Sequence, residues 1–388
     1  MNRLNSFISN SSHTASQSVG LAVYAAGWVL TGLVIIDLAL NFLFAYPRDA
    51  RVRPTFLQSY FEYGRSTEGQ LKRMTRPERS LSAPITLSGW YDPLQIRDFI
   101  PKNAQNPIVT IYGMSHAGRL ANALDRISDR FTARAVTAPG STSNWAYGAY
   151  LRDHSGGKSY AVVLAFMSEL LAMNSTLSPM SWNIDSPMPY TADRFVLNGD
   201  QLAVIHPPYT SFNQYVATFF DHDKWPAARD FFARNDPVYN PLIFRANIFD
   251  HSALVRLVRR AYGQRYLRSV RKAVLDETGY NPNSEEVKVA QAMIHEFALS
   301  ARRDGMIPVI FLVNNLGFSN YLYQALSPIL HRDNIPYLSS DTIISPNDPR
   351  GYLPDSHFTD PVDDELARAL VKIIEKEGAM RSSNVSTH

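Results

Sequence analysis

The stretch Ile108-Val-Thr-Ile-Tyr-Gly-Met-Ser-His-Ala-Gly118 reads as a buried strand that turns sharply into a helix. Pro107 to Tyr112 supplies the strand, Gly113 permits a tight turn and close backbone approach, and Leu120 to Phe131 carries the apolar spacing of a helix. Outward from it the same units recur. Thr132 to Thr137 is a second strand, closing at Ala138-Pro139-Gly140. Tyr160 to Phe166 and Met306 to Val313 are further apolar runs, the last preceded by a helix over 284–303, and another strand is expected at 85–90. Strands and helices in this order predict a mostly parallel, three-layer α/β domain.

In such sheets, functional groups gather where strands end. Ser115 follows its strand through Gly113, and the start of the next helix places free backbone N–H groups beside it, suited to a developing oxyanion. Gly140, past the next strand, can offer a second N–H. Far downstream, Leu353-Pro-Asp-Ser-His-Phe-Thr359 precedes a helical pattern ending in Ala367, Leu370 and Ile374. An acid and a histidine two residues apart on one loop can face a single pocket. Asp355 then holds the His357 imidazole in one tautomer, and the other ring nitrogen can deprotonate Ser115. Gly-x-Ser after a strand is a weak signal alone, and so is the Asp-x-His loop. Together, in this order, they point to a serine esterase or acyltransferase, a chemistry that needs no metal and no cofactor.

These blocks resemble the SGNH (GDSL-like) hydrolase superfamily. Its first block, Gly-Asp-Ser after an apolar strand, matches Gly113-Met114-Ser115 with Met in place of Asp. Its second, a glycine after the next strand, matches Gly140, and its last matches Asp355-Ser-His357-Phe-Thr, with Ala367 in the closing helix. The two-residue spacing of acid and histidine is similar to the membrane-associated, polysaccharide-acetylating branch. The resemblance covers about 105–170 and 305–375. It implies a flavodoxin-like α/β/α domain acting on acyl esters, acetyl above all, of an extracytoplasmic polysaccharide. For a transferase, it implies a separate membrane acyltransferase partner that delivers the acyl group. The third block departs: the family's asparagine, a side-chain oxyanion donor, is replaced by Ser168. Ser168, Asn144 or Asn174 are the candidate substitutes. Losing one such donor costs about 10²–10³ in rate.

The 388 residues, 45% hydrophobic and 19% charged, suit a folded body rather than a disordered chain. A net charge of +3 does not suggest nucleic acid as a partner, and the absence of cysteine excludes disulfides and thiolate chemistry. Val19 to Ala45 is almost wholly apolar, broken mainly by Asp37 and Asn41. About 27 residues at a 1.5 Å rise span roughly 40 Å, enough to cross a bilayer core with some tilt. The expected division is a disordered 1–18, a transmembrane signal anchor at 19–45 and a juxtamembrane linker at 46–80. A catalytic domain at 81–378 follows, with an insert at about 176–304, then a disordered tail at 379–388. Arg48, Arg51 and Arg53 after the span argue for a cytoplasmic C-terminal domain, whereas the family resemblance implies a periplasmic one.

Two rival readings stand beside this one. Gly113 to Gly118 is close to the Gly-x-Ser-x-Gly elbow of α/β-hydrolases, with Ala117 at its fifth position. A degenerate SGNH-like scaffold for polysaccharide binding or export-complex assembly also fits the missing asparagine. His116 is expected to be a supporting residue, Asp153-His154 a solvated loop, and Asp221-His222-Asp223 an exposed helix end rather than a metal site. Ser252 to Lys272, with seven basic residues and no acid, is a basic amphipathic helix that either lies on anionic lipid or packs on the body. The insert's aromatics either stack on sugar or fill its own core.

Overall fold

The computed structural model describes residues 6–47, 52–75, 89–91, 105–138, 140–153 and 159–385. Five parallel strands build the central sheet: β1 (Ile108–Gly113), β2 (Thr132–Thr137), β3 (Ala161–Met167), β4 (Ile307–Val313) and β5 (Tyr337–Ser339). Their spatial order is β2-β1-β3-β4-β5, the flavodoxin-like order of a doubly wound α/β fold. β3 and β4 are buried along their whole length, because helices cover both faces and leave no solvated side to alternate toward. Val163 and Ala165 of β3 join Leu120 and Leu124 of α4 (Ser115–Ile127) and Leu366 and Leu370 of the C-terminal helix (Asp360–Val385). Leu164 and Phe166, one residue out of step, face the helices Ser143–Arg152, Glu285–Arg303 and Tyr321–Arg332. Period-two side-chain alternation thus splits each strand between two cores.

Most of the expected strand at 85–90 lies outside the described residues; Gly89 and Trp90 are described, and Trp90 is buried. Three of the expected boundaries shift. Helix α1 (Ser6–Leu43) begins inside the stretch expected to be disordered, and the C-terminal helix runs on to Val385. The helix Glu285–Arg303 packs Val287, Met293 and Phe297 into the sheet's core. The segment outside the three layers is therefore shorter than 176–304.

The expected linker is a packed element instead. Its helices α2 (Phe56–Glu62) and α3 (Thr67–Met74) bury two carboxylates. Glu62 pairs with Arg65, Arg73 and Arg256, while Glu68 accepts bonds from the Trp225 indole (2.7 Å) and the Ala246 N–H (2.6 Å). Buried charges persist only when partnered in this way. The insert's aromatics fill a core of their own with Trp90: Tyr190, Tyr209, Tyr215, Phe219, Trp225 and Phe232 close with it over Leu71 of α3. Three of the seven basic residues of Ser252 to Lys272 are also spent internally. On its helix, α5 (Ala253–Val274), Arg256 pairs with Glu62, Arg259 with Asp250 and Arg260 with Asp185.

Candidate active site

β1 delivers Ser115 to the sheet's C-terminal edge by a turn that only glycine allows. A Cβ on Gly113 would sit 2.7 Å from the Cβ atoms of both Ala117 and Ala165. The first intrahelical bonds of α4 run from Ala117 and Gly118 to the Met114 carbonyl, so the N–H groups of Ser115 and His116 head the helix. The Gly140 turn is tied to the same corner. Ala138 N–H and Ser141 Oγ both donate to the Gly113 carbonyl (3.0 and 3.4 Å), and Gly140 takes φ +65°, a conformation in which a Cβ is disfavoured.

The loop after β5 brings the other two groups to Ser115 across a separation of 242 residues. His357 Nε2 lies 2.7 Å from Ser115 Oγ, and His357 Nδ1 lies 3.0 Å from Asp355 Oδ2. The Asp355 carboxyl also accepts the His357 backbone N–H (3.3 Å), and these two bonds hold it below the ordinary carboxylate range. Phe358, fully buried, plugs the loop into the core. Arg119, one turn along α4 from Ser115, donates to the Phe358 carbonyl (3.0 Å), Asp360 (2.7 Å) and Asp363 (2.7 Å). The helix that carries the hydroxyl therefore clamps the loop that carries the imidazole.

His116 completes the arrangement from the position next to Ser115. Its ring stacks on His357 with centroids 4.7 Å apart and meets Phe358 edge-on at 5.1 Å. Its Nε2 lies 3.2 Å from the Ser356 carbonyl, which can only accept, so Nε2 carries the proton. That bond holds the chain at Ser356, a non-glycine residue at φ +66°, between the acid and the base. Burial first, then the neighbouring His357, pushes the His116 imidazole down to about 4 from 6.5. Between these values the unfolded chain binds a proton that the folded chain refuses. The stability that depends on a neutral His116 is therefore intact above pH 6.5 and lost as pH falls through 4, about 3 kcal/mol in all. H116Q, which cannot titrate, should lack this loss. Its urea stability relative to the native chain should rise by about that amount from pH 7 to pH 4; a constant difference across the range would contradict the assignment.

Of the candidates for the missing asparagine, two are occupied. Ser168 Oγ donates to Asn315 Oδ1 (3.0 Å) and accepts the Asn315 N–H (2.9 Å). Asn144 donates its amide to the Asn174 carbonyl. Ser168 has no donor left to offer, whereas the Asn144 amide keeps its second N–H. Two buried side-chain amides keep unpartnered N–H groups: Asn174 and Asn315. Asn315 lies two residues past the end of β4, a strand-end position that could have marked it in the sequence. Arg119 was also missed, its only local signal being its place four residues after Ser115.

The remaining motifs do not join the site. Asp153 is buried against Arg134 and accepts from the Tyr112 hydroxyl (2.8 Å), so it is not a solvated loop residue; His154 lies outside the described residues. His222 is fully exposed beside Asp223, and no metal-binding cluster occurs among the described residues. A pocket of about 210 Å³, counting space open to solvent, starts two residues past Gly140 and is lined by Thr142, Trp145, Ser178, Trp182 and Tyr190.

No family model matches this sequence, and no curated protein matches it significantly. Among solved structures, it is similar to one described as a candidate lipolytic protein of the G-D-S-L family from Desulfitobacterium hafniense. The identity is 9% and the TM-score 0.31, over 69% of this chain and 99% of that one.

Proposed function

We propose that this chain is a membrane-anchored, SGNH-like serine esterase or O-acyltransferase acting on acyl esters, acetyl in particular, of an extracytoplasmic polysaccharide. One observation carries the chemistry: the 2.7 Å contact from Ser115 Oγ to His357 Nε2, backed at 3.0 Å by Asp355. Ser115 attacks the acyl carbonyl as its proton passes to His357 Nε2, and Asp355 supports the imidazolium. The Ser115 and Gly140 N–H groups receive the oxyanion. His357 then returns the proton to the departing alkoxide, leaving an acyl-serine. Water or a sugar hydroxyl, deprotonated by the same imidazole, takes the acyl group and frees Ser115. An apolar helix of 25 residues, Val19–Leu43, is long enough to hold the domain at a bilayer. The polysaccharide and the acyltransferase partner come from the family resemblance alone.

Acid and base on one loop favour this reading over an α/β-hydrolase, where they normally leave separate strand ends. The scaffold reading draws support from Ser168, whose hydroxyl is consumed by Asn315. Acetate release from an acetylated polysaccharide by the full chain in detergent separates the two. The expected result is steady release that disappears in S115A. A folded native chain that binds the polysaccharide without releasing acetate would decide for the scaffold.

A further inference from the structure

The face of the domain beside α1 is built inside out. Three of its charged side chains point inward while Arg245 stays exposed: Asp250, Arg256 and Arg259 are all buried, and Asp250 accepts both the N–H (3.0 Å) and the hydroxyl (2.5 Å) of Ser66. Its apolar side chains point outward. Leu242, Ile248 and Val258 are 63, 78 and 69% exposed, and Phe249 is 55% exposed. A water-facing surface reverses that order, and clustered exposed apolar groups mark a contact with something apolar.

The depth of this face is set by the polar residues of α1. Asp37 accepts the Ser252 hydroxyl (2.9 Å) and the Leu254 N–H (2.8 Å), capping the first turn of α5, and Asn41 accepts from Arg256 (3.0 Å). Asp37 is thus no stray charge in lipid; it bolts the domain to the helix. It lies six residues inside the span's end at Leu43, about 9 Å along the axis. Phe249 shares a tight turn with Ser252 (3.1 Å) and so stands near that level. Interfacial apolar faces sink about 5–10 Å into a bilayer.

We infer that the surface carrying Leu242, Ile248, Phe249 and Val258 is seated in the headgroup and upper acyl region of the same bilayer that α1 crosses, fixing the domain against the membrane. This rests on α1 being the membrane anchor. The occupant is lipid rather than protein because Ser252, Leu254 and Arg256, next in the chain to Phe249 and Val258, are bonded to an apolar helix of membrane-spanning length.

The chain has no cysteine, so single labels are clean. W28C, I248C, F249C and the exposed-turn controls D200C and N283C would carry an environment-sensitive fluorophore. Each full-length variant is reconstituted in phosphatidylcholine–phosphatidylglycerol vesicles containing a shallow nitroxide lipid, read at 200, 248, 249 and 283, or a deep acyl-chain nitroxide lipid, read at 28. The expected result is several-fold stronger quenching at 248 and 249 than at 200 and 283, with 28 also quenched. Quenching at 28 but not at 248 or 249 would overturn the face alone. No quenching at 28 would overturn the anchor and the face together. A blue-shifted but unquenched label at 248 would mean a protein covers the face, and would also overturn the inference.

Discussion

Replacing His357 with alanine should lower ester turnover by about 10⁴–10⁶, leaving only what oxyanion donors and binding supply. The side chain is the sole base within reach of Ser115 Oγ among the described residues, at 2.7 Å. D355N should cost less, about 10³–10⁴. The Asp355 carboxylate is 68% exposed, so water can take over part of its support of the imidazole. Because it is that exposed, losing it should hardly change the unfolding midpoint. The check is kcat/KM for a soluble acetyl ester alongside a urea melt. Equal losses in H357A and D355N, or a D355N loss explained by unfolding, would contradict the ordering.

Arg119→Met should damage both stability and turnover, for separable reasons. Its guanidinium meets the Asp363 carboxylate, whose side chain is only 3% exposed, at 2.7 Å. Removing one partner strands a buried charge and costs about 3–5 kcal/mol. Burial already raises the Asp363 carboxyl to about 6, so the variant should relieve itself by protonating and be least unstable in acid. R119M/D363L removes the orphaned charge and should recover most of the stability. It should not recover activity: the Phe358 carbonyl loses its Arg119 bond, and a small misplacement of His357 costs about 10–100-fold in kcat. Recovery of both properties in the double variant would show that Arg119 serves stability alone.

Much of the α/β body was legible because its signals are local. Uninterrupted apolar runs at 107–112, 160–166 and 306–313 announce strands covered on both faces, and turn residues separate them. That Ser115, His357 and Asp355 meet was legible because strand-end position and a short acid–histidine spacing are features of chain order. What escaped depends on pairing between distant residues. Glu62, Glu68 and Gln70 make the segment after the span look like a polar linker, yet each is buried by partners. Arg119 and Asp363 carry no sequence mark of a bond across 244 residues. Ser168 was placed correctly at a strand end, but its hydroxyl faces Asn315, a neighbour that only the sheet order brings beside it. Asp37 looked like an exception within an apolar helix until the N-terminus of α5 met it.

Treating the full-length chain with a fluorophosphonate and mapping the adduct by peptide mass tests the assignment of the nucleophile most directly. A single adduct on the peptide bearing Ser115, absent in S115A and strongly slowed in H357A, is the predicted result. A folded chain that takes no adduct, or takes it on another residue, would contradict it.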